Sequence, residues 1–249
     1  MTRRWRLRFA PQMNEEERDA VRRTLSMGLP ESQRILPDRS RVKSFYCLET
    51  PFRPLFVKAR IFPTWARRLG RSFRRTKEEQ EFDNYLALKE HGIPCPEPLG
   101  VARFYEGVLI KGSLLFLEYL PNARPLSHFL RDPQIPPGPI LDGLVAFLAL
   151  LRDEGLIHED LQWDNLLAQD TPSGQEFFLV DALHIRWDVE DARESFARTL
   201  AWFAHFLLSG DAQAMVVEGF LERVCGRGLD GGLGKQGLLE AARRLGNRR

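Results

Sequence analysis

The segment GLIHEDLQWDNLLAQ, residues 155–169, sets His158, Asp160, Asp164 and Asn165 within eight positions, between flanks that read as buried. Polar groups taken out of water are costly unless they are satisfied. A chain that places so many of them between core segments is holding them for use, with the apolar flanks as anchors. Sixteen residues after Asn165, the apolar run FFLV delivers a further carboxylate, Asp181. Whatever the site does, its chemistry is that of oxygen-bearing side chains supplied by two separated segments.

The rest of the chain bounds the answer. Its 249 residues, 43% hydrophobic and 28% charged, are enough for one large domain or two small ones. The longest apolar run, LVAFLALL at 144–151, is far short of the ~20 residues that span a bilayer. The basic start MTRRWRLRFAPQM has no apolar run after it and is not read as a secretory signal. Three cysteines, Cys47, Cys95 and Cys225, lack metal-type spacing and fit a reducing compartment. The net charge of +2 hides an asymmetry. Residues 1–77 hold 20 Lys and Arg against 7 Asp and Glu, and residues 78–249 hold 16 against 27. The first part therefore expects an anionic partner: nucleic acid, an acidic membrane surface or a phosphorylated small molecule.

Along the chain, WRLRF (5–9) alternates like a strand, and 14–28 reads as a helix with acids in its first turn and Gly28 after its end. Residues 41–50 and 53–62 read as a strand hairpin. The stretch 60–77 carries seven basic residues and no acid. Thr76 and Glu79 form a capping box for a helix over 76–92, with Phe82, Tyr85, Leu86 and Leu88 as its apolar face. The prolines of IPCPEPLG force an extended segment. EGVLIKG and SLLFLEYL, within 106–120, read as two further strands. Beyond 121 the period is helical, interrupted only by a strand-like 176–187. The late glycines of CGRGLDGGLGKQG (225–237) miss the Walker spacing and read as a loop before a terminal helix. The expected architecture is α+β: a β-rich first lobe with one main helix, residues 1–119, and a mostly helical second lobe, residues 120–249. A cleft between two lobes is the expected ligand site.

HEDLQWDNLL fits H-x-D-L-x-x-x-N, the catalytic-loop pattern of protein kinases. Phosphoryl transfer needs a carboxylate at the attacking hydroxyl, which Asp160 can be. It also needs hard oxygen ligands for Mg²⁺ on the phosphates, which Asn165 and Asp181 can be. With RPLFVKARIF, EFDNYLALKEHGIPCPEPLG and LLFLEYLPNARPLSHFL in that order, the chain resembles the protein kinase-like superfamily, and within it the bacterial lipopolysaccharide kinases that phosphorylate Kdo or heptose of the inner core. The resemblance covers roughly residues 36–207 and implies a two-lobed protein kinase-like fold. It implies Lys58 on the phosphates of ATP, with Glu81 as its partner and Glu78 as the rival. It also implies main-chain contacts from Glu118 to Leu120 with adenine. The cofactors implied are ATP and Mg. The partner implied is a lipopolysaccharide core sugar or lipid A precursor, with the basic stretch 60–77 meeting the anionic inner-membrane surface through Trp65 and Phe73. The localisation implied is cytoplasmic and peripheral, and no nucleic acid is expected.

The sequence also departs from the pattern. No G-x-G-x-x-G precedes the lysine strand; the corresponding LPDRSRV (36–42) has no glycine, and Ser40 or Arg41 would have to serve. Asp181 is followed by Ala-Leu, and no A-P-E segment follows, which speaks for a small-molecule or glycan kinase over a regulated protein kinase. Two other readings stay open at this point: a kinase of another small hydroxyl compound, of aminoglycoside or choline type, and a nucleotide-binding pseudokinase scaffold. His158 reads as a brace for the loop, and Glu159 either raises the pKa of Asp160 or points to solvent.

Overall fold

The computed structural model describes residues 4–29, 34–37, 42–172, 174–187, 192–209 and 214–246. In chain order the first elements are β1 (Arg4–Phe9), α1 (Glu15–Met27), β2 (Arg34–Pro37), β3 (Lys43–Leu48), β4 (Leu55–Ile61), α2 (Trp65–Ser72), α3 (Lys77–Glu90), β5 (Pro98–Glu106) and β6 (Leu109–Glu118). Among the described residues the six strands form one antiparallel sheet, ordered β1-β5-β6-β4-β3-β2. They belong to a compact unit made of Met1–Lys89 and Pro96–Pro121.

Strand alternation makes this sheet two-faced. Val57 and Ala59 of β4 join Tyr46, Leu114 and Phe116 in a core that also holds Val21 and Leu25 of α1. Lys58, between Val57 and Ala59, faces the opposite side. Helix α1 starts where Asn14 accepts from the Glu17 N–H and the Glu17 carboxylate accepts from the Asn14 N–H, and it ends at Gly28 with φ 92°. Helix α3 starts on a second such box: the Glu79 N–H donates to Thr76 Oγ1 at 3.2 Å, and the Thr76 N–H to Glu79 Oε2 at 2.8 Å. Phe82, Tyr85 and Leu88 of α3 are buried, while Leu86 is half-buried.

The strand assignment for 106–120 needs correction. The hairpin is β5 with β6, and Gly107, at φ 65°, makes its turn. Gly112 is no break; it lies mid-strand in β6. A Cβ there would stand 2.3 Å from the Phe104 ring and 2.4 Å from the Arg60 carbonyl. Glycine marks a close approach of neighbouring strands, not a strand end.

The second unit comprises Glu90–Cys95 and Asn122–Arg249. Its elements are β7 (Arg124–Pro125), α4 (Leu126–Arg131), α5 (Pro137–Asp153), β8 (Leu156–His158), β9 (Leu166–Thr171), β10 (Gly174–Leu179), β11 (Ile185–Trp187), α6 (Ala192–Ser209), α7 (Ala214–Gly226) and α8 (Gly234–Gly246). Helix α5 buries Ile140, Leu144, Leu148 and Leu151, a 3.6-period stripe. Helix α8 begins inside the late glycine stretch. The second half is less purely helical than its periodicity suggests. Strand β9 pairs with β10 and β7, and β8 pairs with β11. Strands of two or three residues carry too little alternation to be read from sequence.

Candidate active site

In the first unit, two strand positions meet two helix positions. Lys58 and Arg60 are two apart on β4 and share a face; Glu78 and Glu81 are three apart on α3 and share a face. The Lys58 Nζ donates to both Glu81 oxygens, at 2.8 and 3.0 Å, with the residues 6% and 1% exposed. Arg60 Nε donates to Glu78 Oε1 at 2.6 Å. Ser113, which sits opposite Arg60 on β6, donates to Glu78 Oε2 at 2.5 Å. Glu78 is thus engaged elsewhere, and Glu81 is the carboxylate that holds Lys58. Glu79 takes Arg103 of β5 at 2.6 Å. Three glutamates of α3 therefore pin that helix to three cations of the sheet, and the pinned helix fixes the Lys58 ammonium.

At the end of β6 the Glu118 N–H donates to the Glu97 carbonyl at 2.9 Å, and the Tyr119 N–H to the Pro54 carbonyl at 3.3 Å. These two amides are therefore engaged within the unit. Residues 38–41, where Ser40 and Arg41 were expected near phosphates, lie outside the described residues.

In the second unit the polar segment of 158–165 is built as a loop with apolar pins. Leu161, Trp163 and Leu166 are buried, whereas Asp160 and Asn165 are half-buried. The Asn165 side-chain Nδ2 donates to the Asp160 carbonyl at 2.8 Å, closing the loop. The Val180 N–H donates to the Asn165 carbonyl at 2.9 Å, which draws Asp181 to the same place. Asp181 has φ 55° and ψ 53°, the sole non-glycine residue with positive φ among the described residues. Aspartate tolerates this region better than most types, but holding it there still costs on the order of 1 kcal/mol. The structure thus brings Lys58 to Glu81, and Asp160 to Asn165 and Asp181, each group within its own unit.

His158 is 1% exposed. Burial pushes its pKa down to about 4, outweighing the pull of Asp181 and Asp160. Its Nδ1 accepts the Asp160 N–H at 3.2 Å, so the neutral ring carries its proton on Nε2. It braces the main chain at Asp160. A histidine held neutral in the fold binds fewer protons than the unfolded chain between pH 6.5 and about 4. Stability from this group is complete above 6.5 and is lost as pH falls toward 4, by about 3 kcal/mol in all. A His158→Gln variant should therefore lose about that much less stability over this window in denaturant titrations. An unchanged fall would show that the ring does not titrate this way.

Gln162 was not singled out from sequence. Its Nε2 donates to Asp160 Oδ1 at 2.7 Å, orienting that carboxylate. The signal was its place two residues after the aspartate, within the loop pattern. If Asp160 is the base expected from the sequence, Gln162→Ala lowers turnover about ten-fold with KM for nucleotide little changed, since it frees that carboxylate without touching the phosphates. A rise in nucleotide KM alone would place Gln162 elsewhere in the reaction. Glu159 is exposed and lies 3.4 Å from Arg186 Nε.

For a divalent ion, the donor set expected from the sequence would be an amide oxygen and a carboxylate, Asn165 and Asp181. No cluster of three His, Cys, Asp or Glu that could hold a metal occurs among the described residues. Two hard oxygen donors fit Mg²⁺, which is commonly held by one or two carboxylates with substrate phosphates completing its shell.

No protein-family model matches the chain. Over 95 residues it is 30% identical to a 3-deoxy-D-manno-octulosonic acid kinase of Vibrio parahaemolyticus, 38% of this chain and 39% of that one. Over 108 residues it is 30% identical to the kinase of the same name from Haemophilus influenzae, 43% of this chain and 44% of that one. Over these stretches the chain is similar to two proteins named as kinases of 3-deoxy-D-manno-octulosonic acid. The match spans about two fifths of the length of these relatives. Among solved structures, WaaP in complex with acyl carrier protein superposes with a TM-score of 0.63 at 16% identity, over 98% of both chains. The bifunctional kinase-methyltransferase WbdD superposes at 0.51 and 15% identity, over 97% of this chain and 54% of that one. At such identities the likeness shows the fold, which is kinase-like, as the resemblance implied.

Proposed function

We propose that the chain is an ATP- and Mg²⁺-dependent kinase that transfers the γ-phosphoryl group to a hydroxyl of a Kdo-type sugar in the lipopolysaccharide inner core. The observation that carries the reading is the closed loop from Asp160 to Asn165, with Asp181 drawn to it through the Val180 N–H. The kinship with Kdo kinases supports the choice of sugar over a cationic alcohol.

Asp160, held by Gln162, accepts the proton of the attacking hydroxyl. The hydroxyl oxygen bonds to the γ-phosphorus as the bond to the β–γ bridging oxygen breaks, and ADP carries that oxygen away. Lys58, oriented by Glu81, neutralises the α- and β-phosphates. The Glu118 carbonyl and the Leu120 amide receive the adenine edge. Asn165 and Asp181 would hold Mg²⁺, which supplies charge neutralisation at the phosphates. The protein's part is positioning and electrostatics, the terms that dominate phosphoryl transfer.

Among the described residues no helix is long and apolar enough to cross a membrane. We place the chain at the cytoplasmic face of the inner membrane as a peripheral protein, through the basic stretch 60–77. The test of the proposed activity is an ADP-release screen with Kdo-lipid A, heptosylated core and unrelated alcohols as acceptors. Release that requires the Kdo acceptor supports the reading. Release with an aminoglycoside or choline alone, or ATP binding without release, assigns the chain to one of the two other readings.

A further inference from the structure

Helix α2 lies in the basic stretch, between β4 and α3, and buries none of its residues. Thr64 caps it by accepting the Arg67 N–H at 3.4 Å. Its side-chain hydrogen bonds to the sheet among the described residues lie along one edge. Arg68 donates to the Phe62 carbonyl and to Glu106, both at 2.9 Å, and Ser72 Oγ accepts the Ile110 N–H at 3.0 Å. At about 100° per residue, the side away from that edge is a ridge of Ala66 and Gly70, both exposed. A Cβ on Gly70 would meet nothing within 4 Å.

The two flanks of the ridge differ. On one, Trp65, Leu69 and Phe73 recur every four residues and are 70%, 42% and 82% exposed. On the other is a groove of about 350 Å³ whose cations are Arg60, Arg67, Arg71, Arg74 and Lys77, with no acid among its lining residues. Arg60 is held by Glu78, and the nearby Arg68, Arg75 and Arg103 also have carboxylate partners. The side chains of Arg67, Arg71, Arg74 and Lys77 make no ion pair among the described residues. The segment neutralises its other cations and leaves these four in one groove.

We propose that this groove binds the phosphomonoester headgroup of a membrane lipid while Trp65, Leu69 and Phe73 enter the acyl boundary beside it. The inference rests on the peripheral reading above and adds to it a specific headgroup site. A small-residue ridge lets the helix lie close to the surface. An exposed aromatic and leucine stripe beside cations is the pattern of a helix that sits in a membrane interface. Several guanidinium forks converging on one anion favour a terminal phosphate, with its free oxygens, over a phosphodiester or a diffuse negative surface.

The test is flotation of the full chain, without nucleotide, on three kinds of vesicle: phosphatidylcholine alone, with phosphatidic acid, and with phosphatidylglycerol matched in zeta potential. Binding should be strongest with phosphatidic acid. Arg71→Ser with Arg74→Ser should weaken that binding roughly thirty-fold and erase the preference for phosphatidic acid. Trp65→Ser with Phe73→Ser should weaken binding to both anionic vesicles alike and keep the preference. Equal binding of wild type to the two anionic vesicles would overturn the headgroup site, as would an unaffected arginine variant. Displacement by inorganic phosphate at the concentration of lipid phosphate would make the groove a free-anion site and overturn the lipid assignment. Because no nucleotide is present, failure here and failure of phosphoryl transfer are separate observations.

Discussion

Asp160→Asn is expected to lower sugar-dependent ADP release by about 10²- to 10⁴-fold, the usual range for removing a positioned general base. The change is nearly isosteric, and Asp160 is half-buried in a loop whose closing bond uses its main-chain carbonyl. Asparagine keeps an oxygen that can still accept from Gln162 Nε2. Unfolding free energy should therefore stay within about 0.5 kcal/mol of wild type. Steady-state kinetics with a Kdo acceptor, together with a urea titration, reads both quantities. Near-normal turnover would remove Asp160 from proton acceptance. A large loss of stability would mean that the activity loss reports misfolding.

Glu81→Ala is the substitution with the largest expected effect on stability. It leaves Lys58, a residue 6% exposed, without the carboxylate that now takes two of its hydrogen bonds. Removing one member of a buried pair costs about 3–5 kcal/mol, because the remaining charge is still out of water. Replacing both members by apolar residues of similar size is often neutral, so Lys58→Met with Glu81→Leu should recover most of that loss. The double variant should remain inactive, since the phosphates would have no ammonium to meet. Chemical denaturation and ADP release together separate the pair's structural role from its catalytic one. A fully active double variant would detach Lys58 from the reaction.

The parts of this fold that were legible in the sequence are those decided locally. The helix ending at Gly28, the capping box at Thr76, the turn into Gly92 and the helical period of α5 depend on neighbours a few residues away. Gly112 misled because its reason is not local. The obstruction to a side chain comes from Phe104 and Arg60 on adjacent strands. Strands β8 and β11, of three residues each, are defined by their pairing with one another and have no period to detect.

The candidate site divides in the same way. The spacing of Asp160, Asn165 and Asp181 is visible in the chain, while the closing bond from Asn165 to the Asp160 carbonyl is not. The choice between Glu78 and Glu81 could not be made from helical angle, since both face the sheet and both are buried. It turns on Arg60 and Ser113, which take up Glu78 and stand on two different strands. The basic stretch reads as uniform charge, yet Arg60, Arg68 and Arg75 pair with carboxylates 18, 38 and 8 positions away in the chain. Only tertiary structure separates those cations from the four left in the groove.

The proposed reaction forms a phosphate ester on a Kdo sugar, using ATP and a divalent ion. Phosphorus-31 NMR of Kdo-lipid A incubated with the chain and ATP tests it directly, with and without Mg²⁺. A new phosphomonoester resonance coupled to a Kdo ring proton is expected, growing in step with ADP, absent without the metal and absent with Asp160→Asn. ATP consumed with no sugar phosphate formed, or the same product from the Asp160→Asn chain, would contradict it.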